Sequence, residues 1–108
     1  MDTISVAELK KKLDDFELMA LLDVRPAEEY QKSHIASSIS LPLSEKMQQE
    51  AKVFLKKEDD IIIYGSSGVE EAASRLKKNG YPKLRILAGG ITVWLSEGGT
   101  VTNKVSMG

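Results

Sequence analysis

The stretch IIIYGSSGVEEAA, residues 61–73, joins an apolar run to a loop with two glycines and two serines, and then to the start of a helical pattern. The apolar run is typical of a buried strand, and the helix is predicted from about Val69 to Lys78. In α/β proteins, a strand, a glycine-containing loop and a helix in this order often hold an anion or a nucleophile. The loop of residues 65–70 is therefore the first candidate site.

A capping box predicts the start of the first helix, in the segment ISVAELKKKLDDF of residues 4–16. Ser5 can accept a hydrogen bond from the backbone of Glu8, and the side chain of Glu8 can accept one from the backbone of Ser5. Apolar residues then recur at helical spacing. The inner face of this helix is expected to consist of Val6, Leu9, Leu13 and Phe16.

The rest of the chain alternates between apolar runs and helical patterns. Further strands are predicted in LMALLDV, SISLPL and LRILA, residues 18–24, 38–43 and 84–88. Further helices are predicted in residues 26–32, in residues 44–57 and after Gly90, the second capped by Ser44 with Met47, Ala51, Phe54 and Leu55 inside. This order predicts a parallel sheet with helices on both faces. Ligands of such sheets bind beyond the carboxyl ends of the strands, here residues 23–25, 65–70 and 89–90.

Length and charge limit the possible partners. The 108 residues predict a single domain, residues 1–108, with 15 basic and 16 acidic residues and a net charge of -1. We expect no nucleic-acid partner, because the lysines are scattered along the chain. We expect no membrane partner, because no apolar run approaches the length of a membrane span. The N-terminus has no signal-peptide pattern, so the expected location is the cytoplasm.

The chain contains no cysteine. This excludes disulfides, thiolate metal ligands and every mechanism that uses a thiol of the chain itself. With one histidine, His34, the sequence also gives no support for a histidine-rich metal site. We expect neither a metal nor a cofactor.

Three segments together resemble the signatures of rhodanese-like domains. They are LLDVRPAEEYQKSHIASSISLPL, IIIYGSSGVEEAASRLKKNGY and LAGGITVWLSEGG, residues 21–43, 61–81 and 87–99. The resemblance covers residues 4–102, the expected core of the domain, and implies a five-stranded parallel sheet with helices on both faces. The positions that match the family pattern and are expected to support the site include Asp23, Arg25, His34, Tyr64, Gly89, Gly90 and Trp94.

Two positions of the loop depart from the family pattern. Active rhodanese-like domains are sulfurtransferases, in which a cysteine opens the loop after the central strand and carries sulfur as a persulfide. The resemblance places Gly65 at the position of that cysteine and Glu70 at the position of the usual loop arginine. The equivalent of the active-site loop is Gly65, Ser66, Ser67, Gly68, Val69 and Glu70, and we expect none of these residues to be catalytic.

The expected function is therefore that of a catalytically inactive rhodanese-like domain. It would serve as a binding or regulatory module for an unknown protein or small-molecule ligand, with the loop amides facing that partner. An alternative is a sulfurtransferase-related protein that uses a thiol borrowed from a partner or cofactor. A third hypothesis is a hydrolase or phosphatase that uses the same loop without cysteine; Ser66 or Ser67 as nucleophile would need an activating base. The one histidine, His34, lies in a distant segment. The resemblance implies a structural role for it.

Several of these residues also have structural interpretations. Ser66 and Ser67 could satisfy loop amides or cap the next helix. Asp23 and Arg25 could form an ion pair rather than a catalytic pair. Tyr64 could lie under the loop and line a pocket. Gly89 and Gly90 are expected to permit a tight turn and a close backbone approach, and Trp94 is expected in the core.

Overall fold

The computed structural model describes residues 2–104 and has an α/β architecture. The strands of this part of the chain are β1 (Thr3–Ile4), β2 (Ala20–Asp23), β3 (His34–Ile35), β4 (Ile39–Ser40), β5 (Ile61–Tyr64), β6 (Leu84–Leu87) and β7 (Val101–Thr102). Its helices are α1 (Val6–Asp14), α2 (Ala27–Lys32), α3 (Met47–Phe54), α4 (Val69–Lys78) and α5 (Gly90–Ser96).

Five strands form one parallel sheet in the order β1-β6-β5-β2-β4. The central strand is β5, the strand of the opening stretch. The predicted α/β fold with a five-stranded parallel sheet is confirmed. The sequence did not predict β1, or the separate antiparallel pair that β3 forms with β7.

The central strand is buried on both faces, which explains its unbroken apolar sequence. Ile61 and Ile63 pack in a cluster with residues of α3 and α4, among them Met47, Ala51 and Leu76. Ile62 and Tyr64 pack in a second cluster with residues of α1 and α5, among them Val6, Leu9 and Trp94. Because successive strand residues point to opposite faces, each face of the sheet is covered by its own pair of helices.

The start of α1 agrees with the sequence, but its end does not. Ser5 Oγ accepts a hydrogen bond from Glu8 N at 3.0 Å, and Glu8 Oε1 accepts one from Ser5 N at 3.1 Å, so the capping box is confirmed. The helix ends at Asp14, and Phe16 lies beyond it with 90% of its side chain exposed. The expectation that Phe16 belongs to the inner face is wrong, because the chain turns away from the helix axis before that residue.

Helix α3 is shorter than predicted. It begins at Met47, with Lys46 at the N-cap, so the prediction that Ser44 caps it is wrong. Ser44 Oγ instead accepts a hydrogen bond from Lys46 N at 3.2 Å in the preceding turn. Phe54 is 51% exposed and does not belong to the inner face. The prediction for α4, from Val69 to Lys78, is confirmed.

Two features are absent from residues 2–104. None of their helices is both long and apolar enough to cross a membrane. The same residues contain no group of three or more histidine, aspartate or glutamate side chains that could hold a metal ion.

Candidate functional site

The loop of residues 65–68 follows the central strand at the carboxyl edge of the sheet. It borders a cleft of about 510 Å³. The residues that line this cleft are Val24, Arg25, Pro26, Ala27, Glu28, Pro42, Leu43, Ser66, Ser67 and Gly68. The cleft thus joins the carboxyl ends of β2, β4 and β5, which is the usual position of a ligand site in a parallel sheet. The sequence analysis did not name Leu43 as a site residue; its position at the end of the strand predicted over residues 38–43 was the signal that could have placed it there.

Gly68 determines how the loop enters α4. Its φ of +73° lies in the left-handed region, and it occupies the N-cap position of the helix. A Cβ atom at this position would lie 2.8 Å from Cδ2 of Leu43. Glycine therefore meets both a conformational and a spatial requirement at residue 68.

The loop amides point to no acceptor within the described chain. Among residues 2–104, the backbone N–H groups of residues 66–71 have no protein hydrogen-bond partner. The side chains of Ser66 and Ser67 are exposed and make no hydrogen bond to any described residue. The interpretation that these serines cap the helix is therefore wrong. The amides remain available to a hydrogen-bond acceptor in the cleft.

Acidic side chains occur in the segments that carry these amides and line the cleft. Glu70 and Glu71 lie in the first turn of α4, and Glu28 lines the cleft. Arg75 Nη2 lies 3.1 Å from Glu71 Oε1, so Glu71 is paired, while Glu70 forms no ion pair with residues 2–104. Negative charge at a helix N-terminus stabilises the helix, but it opposes the entry of an anionic ligand.

Asp23 and Arg25 form a buried ion pair at the end of β2. Nη2 of Arg25 lies 2.7 Å from Oδ2 of Asp23, and its Nε donates to both carboxylate oxygens at 3.1 and 3.2 Å. Nη2 also donates to the carbonyl oxygen of Ser33 at 2.7 Å. The hydrogen bonds to Asp23 raise the pKa of Arg25. The ion-pair interpretation is confirmed. The guanidinium group of Arg25 already interacts with Asp23 and with the carbonyl oxygen of Ser33.

Tyr64 lies below the loop but does not line the cleft. It is fully buried, its hydroxyl accepts a hydrogen bond from Ile35 N at 3.1 Å, and its oxygen lies 2.9 Å from Ser38 Oγ. Burial raises the pKa of Tyr64 well above its ordinary value. The hypothesis that Tyr64 lines a pocket is therefore wrong, because both its ring and its hydroxyl are used in the core.

His34 is held by the protein and cannot act on the loop serines. It is buried, stacks on the ring of Tyr30 at 3.7 Å, and places Nδ1 2.7 Å from the Tyr30 carbonyl oxygen. Nε2 lies 3.1 Å from the carbonyl oxygen of Lys104. With both nitrogens occupied by backbone groups, the histidine has a structural role. His34 is the one histidine of the chain, so the serine-hydrolase hypothesis has no histidine that could serve as its base.

Gly89, Gly90 and Trp94 lie in the segment that follows β6, where Gly90 packs against the loop. Gly89 and Gly90 have φ values of +79° and +60°, and a Cβ atom at Gly90 would collide with the carbonyl oxygen of Gly65. The predicted close backbone approach is confirmed, and its partner is the first residue of the loop. Trp94 is 3% exposed and donates from Nε1 to the carbonyl oxygen of Thr100 at 2.9 Å, so its core position is also confirmed.

Comparison with known proteins decides the family. A model of the rhodanese-like domain family matches residues 5–97 of the chain. The chain belongs to this family. Among solved rhodanese-like structures, the Alr3790 protein from Anabaena sp. superposes with a TM-score of 0.88 at 28% identity, covering 94% of this chain and 83% of that one. A rhodanese-related protein from Thermoplasma volcanium has a TM-score of 0.79 at 26% identity, covering 96% and 100%.

Curated relatives that match the chain include longer proteins. The putative sulfur carrier protein YrkF of Bacillus subtilis is 37% identical over 93 residues, which are 84% of this chain and 49% of that protein. The probable adenylyltransferase/sulfurtransferase MoeZ of Mycobacterium tuberculosis is 32% identical over 97 residues, which are 88% of this chain and 25% of that protein. The chain therefore spans about half of the first relative and a quarter of the second.

Proposed function

We propose that this rhodanese-like domain is catalytically inactive and acts as a binding or regulatory module. The observation that carries the proposal is the residue after the central strand: it is Gly65, and the whole chain contains no cysteine. A thiolate forms a persulfide by attacking the outer sulfur of thiosulfate, and sulfite leaves with the electrons of the broken S–S bond. Gly65 has no atom that can make that attack.

The surroundings of the loop also favour binding over sulfur transfer from an anionic donor. Arg25, the basic residue that lines the cleft, is engaged by Asp23 and Ser33. Glu28 and Glu70 add negative charge near the free amides. Thiosulfate carries two negative charges, so its entry is opposed by these carboxylates. A neutral acceptor group, such as an amide or a backbone carbonyl, would meet no such opposition.

The walls of the cleft suit a ligand of mixed character. Val24, Pro26, Pro42 and Leu43 provide apolar surface, and the amides of residues 66–68 provide hydrogen-bond donors. A short protein segment or a small uncharged molecule can satisfy both parts of such a cleft. We propose a ligand of this kind as the partner of the loop.

A sulfur-transfer assay tests the proposal directly. The purified domain is incubated with thiosulfate and either cyanide or a dithiol as acceptor, and its intact mass is recorded before and after. We expect transfer at the background rate and no gain of sulfur mass. An active thiosulfate sulfurtransferase in a parallel reaction shows that the assay works. A sulfur adduct on the domain would contradict the proposal.

The second candidate is a sulfurtransferase-related protein that uses a thiol from elsewhere. The names of its relatives, a putative sulfur carrier protein and an adenylyltransferase/sulfurtransferase, favour this candidate. It predicts that transfer from thiosulfate to cyanide in the presence of glutathione becomes faster as domain is added. The inactive module predicts no dependence on domain concentration, so the same titration separates the two candidates.

A further inference from the structure

Several exposed apolar side chains lie at the amino ends of the strands, at the end of the sheet opposite the loop. Phe16 and Leu18, just before β2, are 90% and 96% exposed, and Phe54 at the end of α3 is 51% exposed. Leu18 and Phe54 line a groove of about 480 Å³, together with Met19, Ala20, Ile39, Glu58, Asp59 and Asp60. Phe16 lines a neighbouring groove of about 210 Å³ that also contains Met19. We name Phe16, Leu18, Met19, Ile39 and Phe54 the apolar edge surface.

Phe16 has a backbone conformation that suits glycine better. Its φ is +54°, in the left-handed region, where a bulky residue is a rare outlier. Phe16 N donates to the Leu13 carbonyl oxygen at 3.2 Å, and Glu17 N donates to the Lys12 carbonyl oxygen at 3.0 Å. These two bonds form the Schellman motif that ends α1, and Phe16 occupies the position that is usually glycine.

Packing of the Phe16 side chain on residues 2–104 compensates little for this strain. The ring of Phe16 is almost wholly in solvent, so it contributes little burial to the fold. A strained backbone and an exposed aromatic ring at one residue are both unfavourable for the isolated domain. Such outliers concentrate at functional positions. A role in binding accounts for both features, because a partner would bury the ring.

The rim of the larger groove is acidic. Glu58, Asp59 and Asp60 line the groove, and neither lysine nor arginine does. Asp60 is balanced by Arg85 at 3.0 Å and Lys12 at 3.6 Å. Asp59 accepts a hydrogen bond from the backbone N of Lys56, and Glu58 forms no ion pair with residues 2–104. An apolar groove with uncompensated carboxylates complements apolar side chains flanked by positive charge.

From these observations we infer that the apolar edge surface, with the acidic rim at Glu58 and Asp59, is a docking surface for a protein segment that carries apolar side chains flanked by lysine or arginine. A second copy of this chain fits less well, because two acidic rims would face each other. The surface lies at the amino ends of the strands, whereas the loop of residues 65–68 lies at their carboxyl ends. The inference therefore holds whether or not the loop transfers sulfur.

The test uses three synthetic peptides of equal length as probes. One alternates leucine with lysine, one leucine with glutamate, and one serine with lysine. Binding to the domain is measured by calorimetry and by backbone amide chemical shifts. We expect the leucine–lysine peptide to bind about tenfold more tightly than the other two, because only it matches both the groove and its rim. The largest shifts are expected in residues 16–19, 39, 54 and 58–60.

Variants assign the binding to the surface. Leu18→Ser and Glu58→Lys are each expected to lower the affinity for the leucine–lysine peptide about tenfold. This is the effect expected from the loss of one buried leucine or of one nearby charge. The matched controls are Leu95→Ser, an exposed leucine of α5, and Glu45→Lys, an exposed glutamate outside both grooves. The controls should leave binding unchanged.

Four results would overturn the inference. They are equal binding of the leucine–glutamate peptide, shifts confined to the loop of residues 65–70, absence of binding by all three peptides, and self-association of the domain that Leu18→Ser abolishes. The last result, measured by analytical ultracentrifugation, would assign the surface to a second copy. Peptide binding is measured at the amino ends of the strands and does not depend on sulfur transfer, so failure of this test is distinguishable from failure of the proposed function.

Discussion

Cγ1 of Val69 lies 3.0 Å from the position that a Cβ atom would take at Gly65, and Cγ2 of Val24 lies 3.1 Å from the same position. The backbone of Gly65 is outside the left-handed region, so a side chain there is limited by space alone. The side chains of Val69 and Val24 thus leave little space for a side chain at the position of the family cysteine. This limited space determines how much a cysteine at residue 65 destabilises the fold.

We predict that Gly65→Cys folds and lowers the free energy of unfolding by about 1 kcal/mol, the lower end of the cost of overpacking. Val69→Ala should reduce the cost of the cysteine, because it removes the atom nearest to the new Cβ. Denaturant unfolding of the two single variants and the double variant measures the coupling. Strict additivity would show that Val69 is not the residue that restricts position 65.

The acidic side chain at Glu70 is predicted to suppress the reactivity of a restored thiol. Loop amides and the start of α4 favour a thiolate at residue 65, whereas Glu70 opposes it. We expect Gly65→Cys to alkylate faster at neutral pH when Glu70→Arg is added, and only the double variant to turn over thiosulfate. Glu50→Arg on α3 provides the same change of charge elsewhere. Identical alkylation profiles with and without Glu70→Arg would show that residue 70 does not face the loop.

Gly68→Val should destabilise the fold by about 1–3 kcal/mol, the range for a residue forced into the left-handed region. The clash with Leu43 adds to the strain. Gly68→Asn is the matched control, because asparagine tolerates this conformation better than valine. We expect thermal unfolding to rank the variants glycine, asparagine, valine in falling stability. A valine variant as stable as the asparagine variant would contradict the strain argument.

Tyr64 is predicted to make the fold sensitive to alkali. Burial raises the pKa of Tyr64 in the folded state, so above about pH 10 the unfolded chain loses the phenolic proton first. The free energy of unfolding therefore falls as the pH rises above that value. Tyr64→Phe should flatten this decline, while costing about 1–3 kcal/mol at neutral pH because Ile35 N loses its acceptor.

Ser38→Ala is the control for this titration. It removes the hydroxyl 2.9 Å from the Tyr64 oxygen but keeps the ionisable phenol. We expect the alkaline decline to persist in Ser38→Ala and to be reduced in Tyr64→Phe. A decline of equal slope in both variants would assign the alkaline sensitivity to another group.

The elements that the sequence predicted well are those with local causes. The capping box needs only Ser5 and Glu8, and α4 follows from its own apolar spacing. The burial of β5 on both faces follows from its unbroken apolar run. In each case, the residues that determine the structure are neighbours in the sequence. The loop could be placed at the carboxyl ends of the strands because it directly follows β5 in the sequence.

The features that the sequence did not predict depend on distant contacts. β1 contains two residues and exists as a strand because it pairs with Ile86 and Leu87. The restricted space at Gly65 and its contact with Gly90 arise from segments that are remote in sequence. Phe16 continued the helical spacing of Leu9 and Leu13, but the hydrogen bonds that end α1 remove it from the helix. No glycine marked that end.

The left-handed backbone of Phe16 leads to a prediction about stability. Phe16→Gly should raise the free energy of unfolding by about 0.5–1 kcal/mol. A left-handed backbone costs a non-glycine residue about 1–2 kcal/mol, and glycine removes this cost. The greater conformational freedom of glycine in the unfolded chain offsets part of the resulting stabilisation. Because Phe16 is 90% exposed, removal of its side chain loses little buried surface. Phe16→Ala, which keeps the Cβ atom, should leave the strain in place and give no gain. Chemical denaturation of the three proteins checks the order. A glycine variant less stable than the alanine variant would show that the ring of Phe16 packs on the fold itself, and would remove the argument that it is kept for a partner.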